Sequence, residues 1–256
     1  MANKVLETKD LTMRFGGLVA VNCLDLYVDE GEAVGLIGPN GAGKTTAFNM
    51  ISGAYKPSDG KVFFLGEDTT GLPAATMCKK GVGRTFQVVK PFGDMSVLEN
   101  VMTAYDPRMS YNLLDSMLGT PRRRRMDRQA RECAMACLET TGMAEYAGEN
   151  PANLPYGLQR KLEIARALVT EPRVLLLDEP GAGLNPSEII ELITLIRALH
   201  ETRELAILLI DHRMKLIMEL SKYIYVLNFG QLLAQGTPAE IQRNDEVTKA
   251  YIGEEE

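Results

Sequence analysis

The stretch Gly38-Pro39-Asn40-Gly41-Ala42-Gly43-Lys44-Thr45-Thr46 decides how the rest of this chain is organised. Its G-x-x-x-x-G-K-T spacing is typical of a loop that binds nucleotide phosphates. Glycines let successive backbone N–H groups turn towards an anion. The Lys44 ammonium reaches the β- and γ-phosphates of such a ligand, and the Thr45 hydroxyl binds Mg²⁺. The stretch therefore predicts a nucleotide site.

The residues on either side give this loop its structural context. Residues 32–37 are mostly apolar and predict a buried strand, and residues 45–51 predict the start of a helix. The positive end of the helix dipole then points at the phosphates. A chance glycine-rich turn is disfavoured because it does not explain this order of strand, loop and helix.

Length and composition exclude several classes of protein. The chain has 256 residues, which suits one large α/β domain or a domain with a subdomain. Its 45% hydrophobic content is sufficient for a packed core, and its net charge of −6 argues against a nucleic-acid-binding protein. No apolar run approaches the roughly 18 residues of a membrane span, and the N-terminus lacks a signal-peptide pattern. We therefore expect a cytoplasmic protein.

The four cysteines do not predict a metal site. Cys133 and Cys137 share one face of a predicted helix, but the chain offers only two histidines as further ligands. Reduced, mostly packed thiols are therefore favoured for Cys23, Cys78, Cys133 and Cys137.

The hydrophobic periodicity changes twice along the chain. Residues 4–30 alternate as half-buried strands do, with a turn at Gly16-Gly17, and residues 61–65 form another short strand, which together predict an antiparallel layer. Residues 96–143 have helical spacing and predict an all-helical insertion. Buried strands then alternate with helices, which predicts a mostly parallel sheet, with strands at 174–177, 205–210 and 223–227.

Two strands end in polar residues that suit phosphate chemistry. Asp178 and Glu179 follow a buried strand, and the carboxyl end of a parallel strand is the ligand edge of its sheet. Asp178 is predicted to hold Mg²⁺, and Glu179 to polarise an attacking water. His212 follows the next strand and can donate to a γ-phosphate oxygen, whereas His200 at a helix end is interpreted as structural. Phe15, in an exposed turn, is predicted to stack on a base.

In their order, these motifs resemble the nucleotide-binding subunit of ABC transporters over nearly the whole chain. The resemblance implies an α/β P-loop NTPase (RecA-like) fold, with a mostly parallel sheet core, an N-terminal antiparallel β layer and an inserted α-helical subdomain. It implies one nucleotide-binding domain, residues 1–256, in which 1–95 and 170–256 form the catalytic core and 96–169 the helical signature subdomain.

The resemblance also assigns roles to individual residues. Residues 38–46 resemble the family's Walker A motif, 174–179 its Walker B motif and 181–185 its D-loop, with Asn185 where aspartate is usual. It implies catalytic roles for Glu179, His212, Gln87 and Lys44, and metal binding by Thr45, Gln87 and Asp178. The implied nucleotide-binding residues are Phe15, Gly38, Pro39, Asn40, Gly41, Ala42, Gly43, Lys44, Thr45, Thr46, Tyr156 and Gly157.

The signature motif departs from the family pattern. Residues 154–158, Leu-Pro-Tyr-Gly-Leu, stand where the family has Leu-Ser-Gly-Gly-Gln. Pro155 removes a hydroxyl that the family directs at the γ-phosphate, while Gly157 and the following helix start still present N–H groups to an anion. We expect a working but weaker contact.

The resemblance implies ATP and Mg²⁺ as cofactors and a head-to-tail dimer, either a homodimer or a heterodimer with a related ATP-binding subunit. Each ATP is then held between one subunit's P-loop and the other's signature motif. The further implied partners are integral membrane permease subunits and, indirectly, an external solute-binding protein; no nucleic acid is expected. The protein would then be peripheral on the inner face of the cell membrane.

Several segments are similar to the subgroup that serves branched-chain amino-acid uptake, namely 13–22, 84–87, 95–100, 183–186 and 250–253. The neighbouring lipopolysaccharide-export and urea-uptake ATPases share several of these features and remain alternatives. A non-transport ABC ATPase is disfavoured because coiled coils, zinc modules and tandem cassettes are lacking. A GTPase is disfavoured because the guanine-reading Asn-Lys-x-Asp pattern is missing.

Two further features have two interpretations each. Met95, Met102, Met109 and Met117 line an adaptable groove for a permease helix or belong to an ordinary core. Residues Arg122–Arg125 form a solvated loop, which is the favoured interpretation, or contact an anionic membrane or an acidic partner.

Overall fold

The structure, a computed structural model, describes residues 3–87, 90–105, 120–203 and 205–252. The chain forms two compact units. The first consists of Met1–Gln87 with Arg173–Glu256, and the second of Val88–Pro172. The predicted bounds of the helical subdomain, 96–169, fall inside the second unit.

The first unit contains an antiparallel sheet built from the N-terminal strands. Strands β1 (Lys4–Phe15) and β2 (Leu18–Asp29) form a hairpin whose turn is Gly16-Gly17. Strands β4 (Asp59–Phe64) and β5 (Glu67–Asp68) extend it in the order β2-β1-β4-β5. The antiparallel layer predicted from alternation is thus confirmed.

A second sheet of this unit has six strands, which are β3 (Ala33–Ile37), β6 (Val82–Arg84), β7 (Val174–Asp178), β8 (Ala206–Ile210), β9 (Tyr223–Asn228) and β10 (Gln231–Gly236). Their order in the sheet is β10-β9-β3-β8-β7-β6. All pairs from β9 to β6 are parallel. Every residue of β3, β7 and β8 is buried, which explains their continuous apolar sequences.

Strand β10 was not predicted from the sequence. It pairs antiparallel with β9 at the edge of the sheet, and its residues are only partly buried. A half-buried edge strand of Gln, Leu and Ala has neither the apolar run of a central strand nor clean alternation.

Two helices of the first unit begin at residues whose side chains cap them. Asn185 accepts hydrogen bonds from the backbone N–H groups of Ser187 and Glu188, both at 3.0 Å, and Pro186 occupies the first helical position. Thr237 and Glu240 form a capping box. These helices are α1 (Lys44–Ile51), α2 (Ala74–Lys80), α6 (Pro186–Arg203), α7 (Met214–Leu220), α8 (Pro238–Gln242) and α9 (Asp245–Ile252).

One hydrophobic core joins the two sheets of the first unit. It takes apolar side chains from β1, β2 and β4 on one side, from α1 in the middle, and from the parallel strands on the other. Since β3, β6, β7 and β8 run parallel, the segments that follow them emerge at one edge of the sheet. This arrangement positions the phosphate loop and the acidic end of β7 at the same edge, with β8 between β3 and β7.

The second unit is helical. Helices α3 (Val97–Ala104), α4 (Pro121–Thr140) and α5 (Tyr156–Leu168) pack against one another. Ser96 and Glu99 form a capping box at the start of α3. The residues these helices bury include Val97, Val101, Ala130, Ala134, Leu138, Leu162 and Ile164.

The loop predicted for Arg122–Arg125 is wrong. These arginines lie in the first turns of α4, because the Thr120 side chain accepts a hydrogen bond from Arg123 N–H at 3.3 Å and Pro121 is suited to the first helical position. Composition alone favours a solvated loop for a run of like charges, and it does not identify the capping residue that precedes the run.

Two of the four methionines that were predicted to line a groove or to belong to an ordinary core lie in the described part of the chain. Met95 is exposed and Met102 is half-buried, while Met109 and Met117 lie outside the described residues.

The four cysteines form no disulfide. His200 Nδ1 lies 2.9 Å from Leu205 O, which agrees with a structural role. In the part of the chain that the structure describes, no helix is long and apolar enough to cross a membrane.

Candidate nucleotide site

The phosphate loop joins β3 to α1 and depends on glycine at two positions. Gly38 has φ 151° and Gly43 has φ 99°. A Cβ atom at Gly38 would lie 2.1 Å from Leu227 O, and one at Gly43 would lie 2.4 Å from Ala20 O. Backbone, which cannot move aside, therefore excludes a side chain at both positions.

Lys44 is the first residue of α1 and lies over this loop. Its Nζ donates hydrogen bonds to Gly38 O at 2.6 Å and to Pro39 O at 2.7 Å. The loop thus fixes an ammonium group beside its own backbone amides. Thr45, in the first turn of the same helix, is exposed, as a metal-binding hydroxyl must be.

Phe15, the predicted base-stacking residue, lies at the tip of the β1–β2 hairpin and is 48% exposed. Its ring meets that of Tyr55 edge to face, with centroids 5.9 Å apart and an interplanar angle of 81°. Arg14 N–H donates to Ser58 Oγ at 3.0 Å and holds the hairpin tip against the segment after α1. Tyr55 carries no motif, so sequence reasoning missed it.

Asp178, at the end of β7, is buried and paired with a cation. Arg84 Nη2 lies 2.8 Å from Asp178 Oδ2. Arg84 Nη1 also donates to Asn49 Oδ1 at 2.8 Å and to Ser52 Oγ at 2.6 Å, at the far end of α1. No role was predicted for Arg84 from the sequence, because its partners Asn49, Ser52 and Asp178 are distant along the chain.

Gln87, Glu179 and His212 come together at the same sheet edge. Gln87 Nε2 donates to Glu179 Oε2 at 2.8 Å. His212 Nδ1 lies 4.0 Å from that oxygen, too far for a hydrogen bond, and its side chain is 60% exposed. Glu179 has φ 46°, an uncommon left-handed conformation for a non-glycine residue, and its N–H donates to Ile210 O at 2.8 Å.

Asp211 connects the segments that follow β7 and β8. Its Oδ2 accepts a hydrogen bond from Gly181 N–H at 2.8 Å, and its Oδ1 accepts one from Arg213 N–H at 2.9 Å. Burial raises the pKa of Asp211, against the opposing effect of these hydrogen bonds. No role was predicted for Asp211 from the sequence, because Gly181, which it contacts, is distant along the chain.

The donor chemistry of this edge fits a magnesium ion. Thr45 and Asp178 offer a hydroxyl and a carboxylate, and Mg²⁺ in nucleotide sites takes one or two such protein oxygens together with phosphates and water. Among the described residues, no group of three histidine, cysteine, aspartate or glutamate side chains could hold a metal ion by itself. An ion held by Thr45 and Asp178 would take its other ligands from the phosphates of the nucleotide and from water.

The signature residues lie at the start of α5, in the other unit. Pro155 is the N-cap and supplies no side-chain hydrogen bond. The Tyr156 hydroxyl accepts a hydrogen bond from Arg160 Nη2 at 3.1 Å, so this side chain turns back along its own helix. Arg160 is fully buried and pairs with Glu163 at 2.8 Å. Gly157 occupies the first turn of the helix, where N–H groups lack intrahelical partners.

A glycine-rich loop between a central parallel strand and a helix, with acidic residues at the same sheet edge where the second strand along ends, defines a P-loop NTPase. The profile described as "ABC transporter" matches residues 21–182, and the chain belongs to this family. Residues 231–256 match a second profile, described as "Branched-chain amino acid ATP-binding cassette transporter".

Individual relatives agree with this classification. The chain is 47% identical over 254 residues to the high-affinity branched-chain amino acid transport ATP-binding protein BraF of Pseudomonas aeruginosa, covering 99% of this chain and 100% of BraF. It is 48% identical to LivG of Salmonella typhimurium, which carries the same description, with the same coverage. The lipopolysaccharide export ATP-binding protein LptB of Haemophilus influenzae is more distant, at 32% identity over 98% of both chains.

A solved structure has the same fold over nearly its whole length. The ADP conformation of an ATP-binding cassette of an ABC transporter matches with a TM-score of 0.85 and 29% identity, covering 98% of this chain and 99% of the other. The predicted α/β P-loop NTPase fold is therefore confirmed.

Proposed function

We propose that this chain is the subunit that binds and hydrolyses ATP to power an importer of branched-chain amino acids. The observation that carries the proposal is the identity of 47–48% to two such subunits over 99% of the chain. The more distant lipopolysaccharide-export relative makes export the weaker candidate.

The site supplies the groups that such hydrolysis requires. The backbone N–H groups of residues 38–46 and the Lys44 ammonium bind the phosphates. Thr45 and Asp178 would hold Mg²⁺, which when bound neutralises charge on the phosphate oxygens. Glu179 accepts the proton of an attacking water, and Gln87, hydrogen-bonded to Glu179, orients that water. His212 donates to the γ-phosphate.

The nucleotide also brings two subunits together in this proposal. Gly157 and the start of α5 face the ATP held by the P-loop of a second, head-to-tail subunit. ATP that binds only the closed dimer stabilises it, and hydrolysis releases it. Permease subunits pass this motion to the solute that an external binding protein delivers. The subunit is then peripheral, on the inner face of the membrane.

Glu179→Gln tests the hydrolytic part. Turnover should fall by about 10²–10⁴ because the general base is lost, while ATP binding persists and a dimer accumulates. Glu201→Gln, which makes the same change on the exposed face of α6, is the control and should leave both unchanged. A Glu179→Gln variant that stays monomeric at saturating ATP would refute the two-subunit site.

Reconstitution tests the solute. The chain, reconstituted with the permease subunits and binding protein of a branched-chain amino-acid importer, should show ATP hydrolysis that leucine, isoleucine or valine stimulates. Stimulation by urea, or by lipopolysaccharide with an export permease, would reassign the transporter but keep the ATPase.

A further inference from the structure

Arg84 makes a set of contacts that the roles above do not use. It lies at the end of β6, and its side chain is only 11% exposed. One guanidinium nitrogen bonds Asp178 at 2.8 Å, and the other bonds Asn49 and Ser52 at 2.8 and 2.6 Å. A single side chain therefore spans the strand that carries the metal-holding acid and the helix that carries Lys44 and Thr45.

Charge neutralisation alone does not account for this arrangement. A buried ion pair gives little net stability over an apolar pair, and a cation beside Asp178 competes with a metal ion for the same carboxylate. What a guanidinium adds is geometry, because its planar fork fixes the directions of several acceptors at once. Here those acceptors belong to two elements that must contact one nucleotide.

We propose that Arg84 is a positioning residue that holds the Asp178 carboxylate at a fixed place relative to α1. The metal ion at Asp178 and the phosphates at α1 can then be bound at the same time by one site. The proposal rests on the proposed function, since it concerns ATP and Mg²⁺. The measurement that reports on this role is the Mg²⁺ coupling factor, which is the factor by which Mg²⁺ increases the affinity for ATP. A residue that only stabilises the fold does not change that factor.

The experiment measures the dissociation constant of ATP in Mg²⁺ and in excess EDTA, for the folded full chain. In Arg84→Met the Mg²⁺ coupling factor should fall about tenfold, the lower range for losing a partner of a metal ligand. ATP affinity in EDTA should change much less, because the P-loop is intact. Arg84→Lys keeps the charge without the fork and should recover part of the loss.

The control is Arg173→Met. Arg173 lies in the same unit and pairs with Glu30, but it is exposed and remote from these contacts. Its coupling factor should equal that of the wild type. If Arg84→Met does not fold, the double variant Asn49→Ala with Ser52→Ala removes the contacts to α1 and retains the ion pair; it should lower the coupling factor in the same direction.

The outcomes separate this proposal from the broader one. A lower melting temperature with an unchanged Mg²⁺ coupling factor in the Arg84 variants, or in the double variant, would overturn the positioning role. A wild-type chain that binds no ATP under either condition would instead refute the proposed function.

Discussion

The phosphate loop and the acidic edge of the sheet lie in the same unit but are built in opposite ways. The loop consists of consecutive residues, 38–46, and its shape is set by backbone that tolerates only glycine at Gly38 and Gly43. The acidic edge consists of side chains from three separate segments that contact one another. Local sterics thus determine the first region, and strand order determines the second.

The largest expected effect is on the loop. Gly38→Ala should lower the free energy of unfolding by about 3 kcal/mol and abolish ATP binding, because its Cβ meets a backbone oxygen at 2.1 Å. Gly41→Ala is the matched control: its φ is 74° but nothing lies within 4 Å of the added atom, so a loss of about 1 kcal/mol is expected. Urea unfolding measures both. Equal losses would show that the clash is relieved and that the loop is not sterically determined.

The next prediction concerns how the free energy of unfolding depends on pH at the acidic edge of the sheet. The pKa of Asp211 is raised from 3.8 by burial, so the folded state retains this proton to higher pH than the unfolded chain does. The contribution of Asp211 to stability is therefore greatest below its unfolded pKa and declines as pH rises through its folded pKa.

Asp211→Asn removes that titration and one of two hydrogen-bond acceptors, a loss of about 1–2 kcal/mol. Chemical denaturation across pH 4 to 8 should show the variant furthest below the wild type at acid pH, with the gap narrowing as pH rises. A gap that widens with pH would mean that the buried group is a stable carboxylate.

A smaller effect concerns the base end of the site, where a side-chain contact supports a predicted binding residue. Tyr55→Ala should weaken ATP binding about two- to tenfold, since the edge-to-face partner of Phe15 is lost. Binding of inorganic tripolyphosphate, which has no base, should not change, and Tyr55→Phe should restore ATP affinity. Isothermal titration gives both constants; equal weakening for the two ligands would contradict a role in base binding.

The smallest effect is expected at the signature helix. Pro155→Ser supplies the N-cap side chain that Pro155 lacks, which should stabilise α5 by about 0.5–1 kcal/mol. It also restores a hydroxyl at the predicted ATP contact, so turnover should rise a few-fold. An ATPase rate that is unchanged or lower would show that the missing hydroxyl does not limit the site.

This contrast also explains how far the sequence predicted the molecule. The loop and the buried parallel strands follow from spacing and apolar runs, and they were predicted. The Arg84–Asp178 pair joins residues far apart along the chain, and it exists because β6 lies beside β7, an order that periodicity does not determine. Asp211 was missed for the same reason.

Resemblance to a family identified some of the site residues that periodicity does not predict. It selected Gln87 from a loop that carries no signal of its own, but not the bond to Glu179, which depends on the fold. It gave no role to Arg84, which served only as part of the similar segment 84–87, or to Tyr55, which belongs to none of the quoted segments.

The left-handed backbone at Glu179 allows selection for folding to be distinguished from selection for activity. Glycine or asparagine would adopt φ 46° at a lower free energy than glutamate, by about 1 kcal/mol. In a variant library selected only for folded protein, position 179 should drift towards those residues, whereas Gly38 should be retained. Glutamate at position 179 would persist only when growth depends on ATP hydrolysis. Retention of glycine at position 38 would therefore measure selection for folding, and retention of glutamate at position 179 would measure selection for activity.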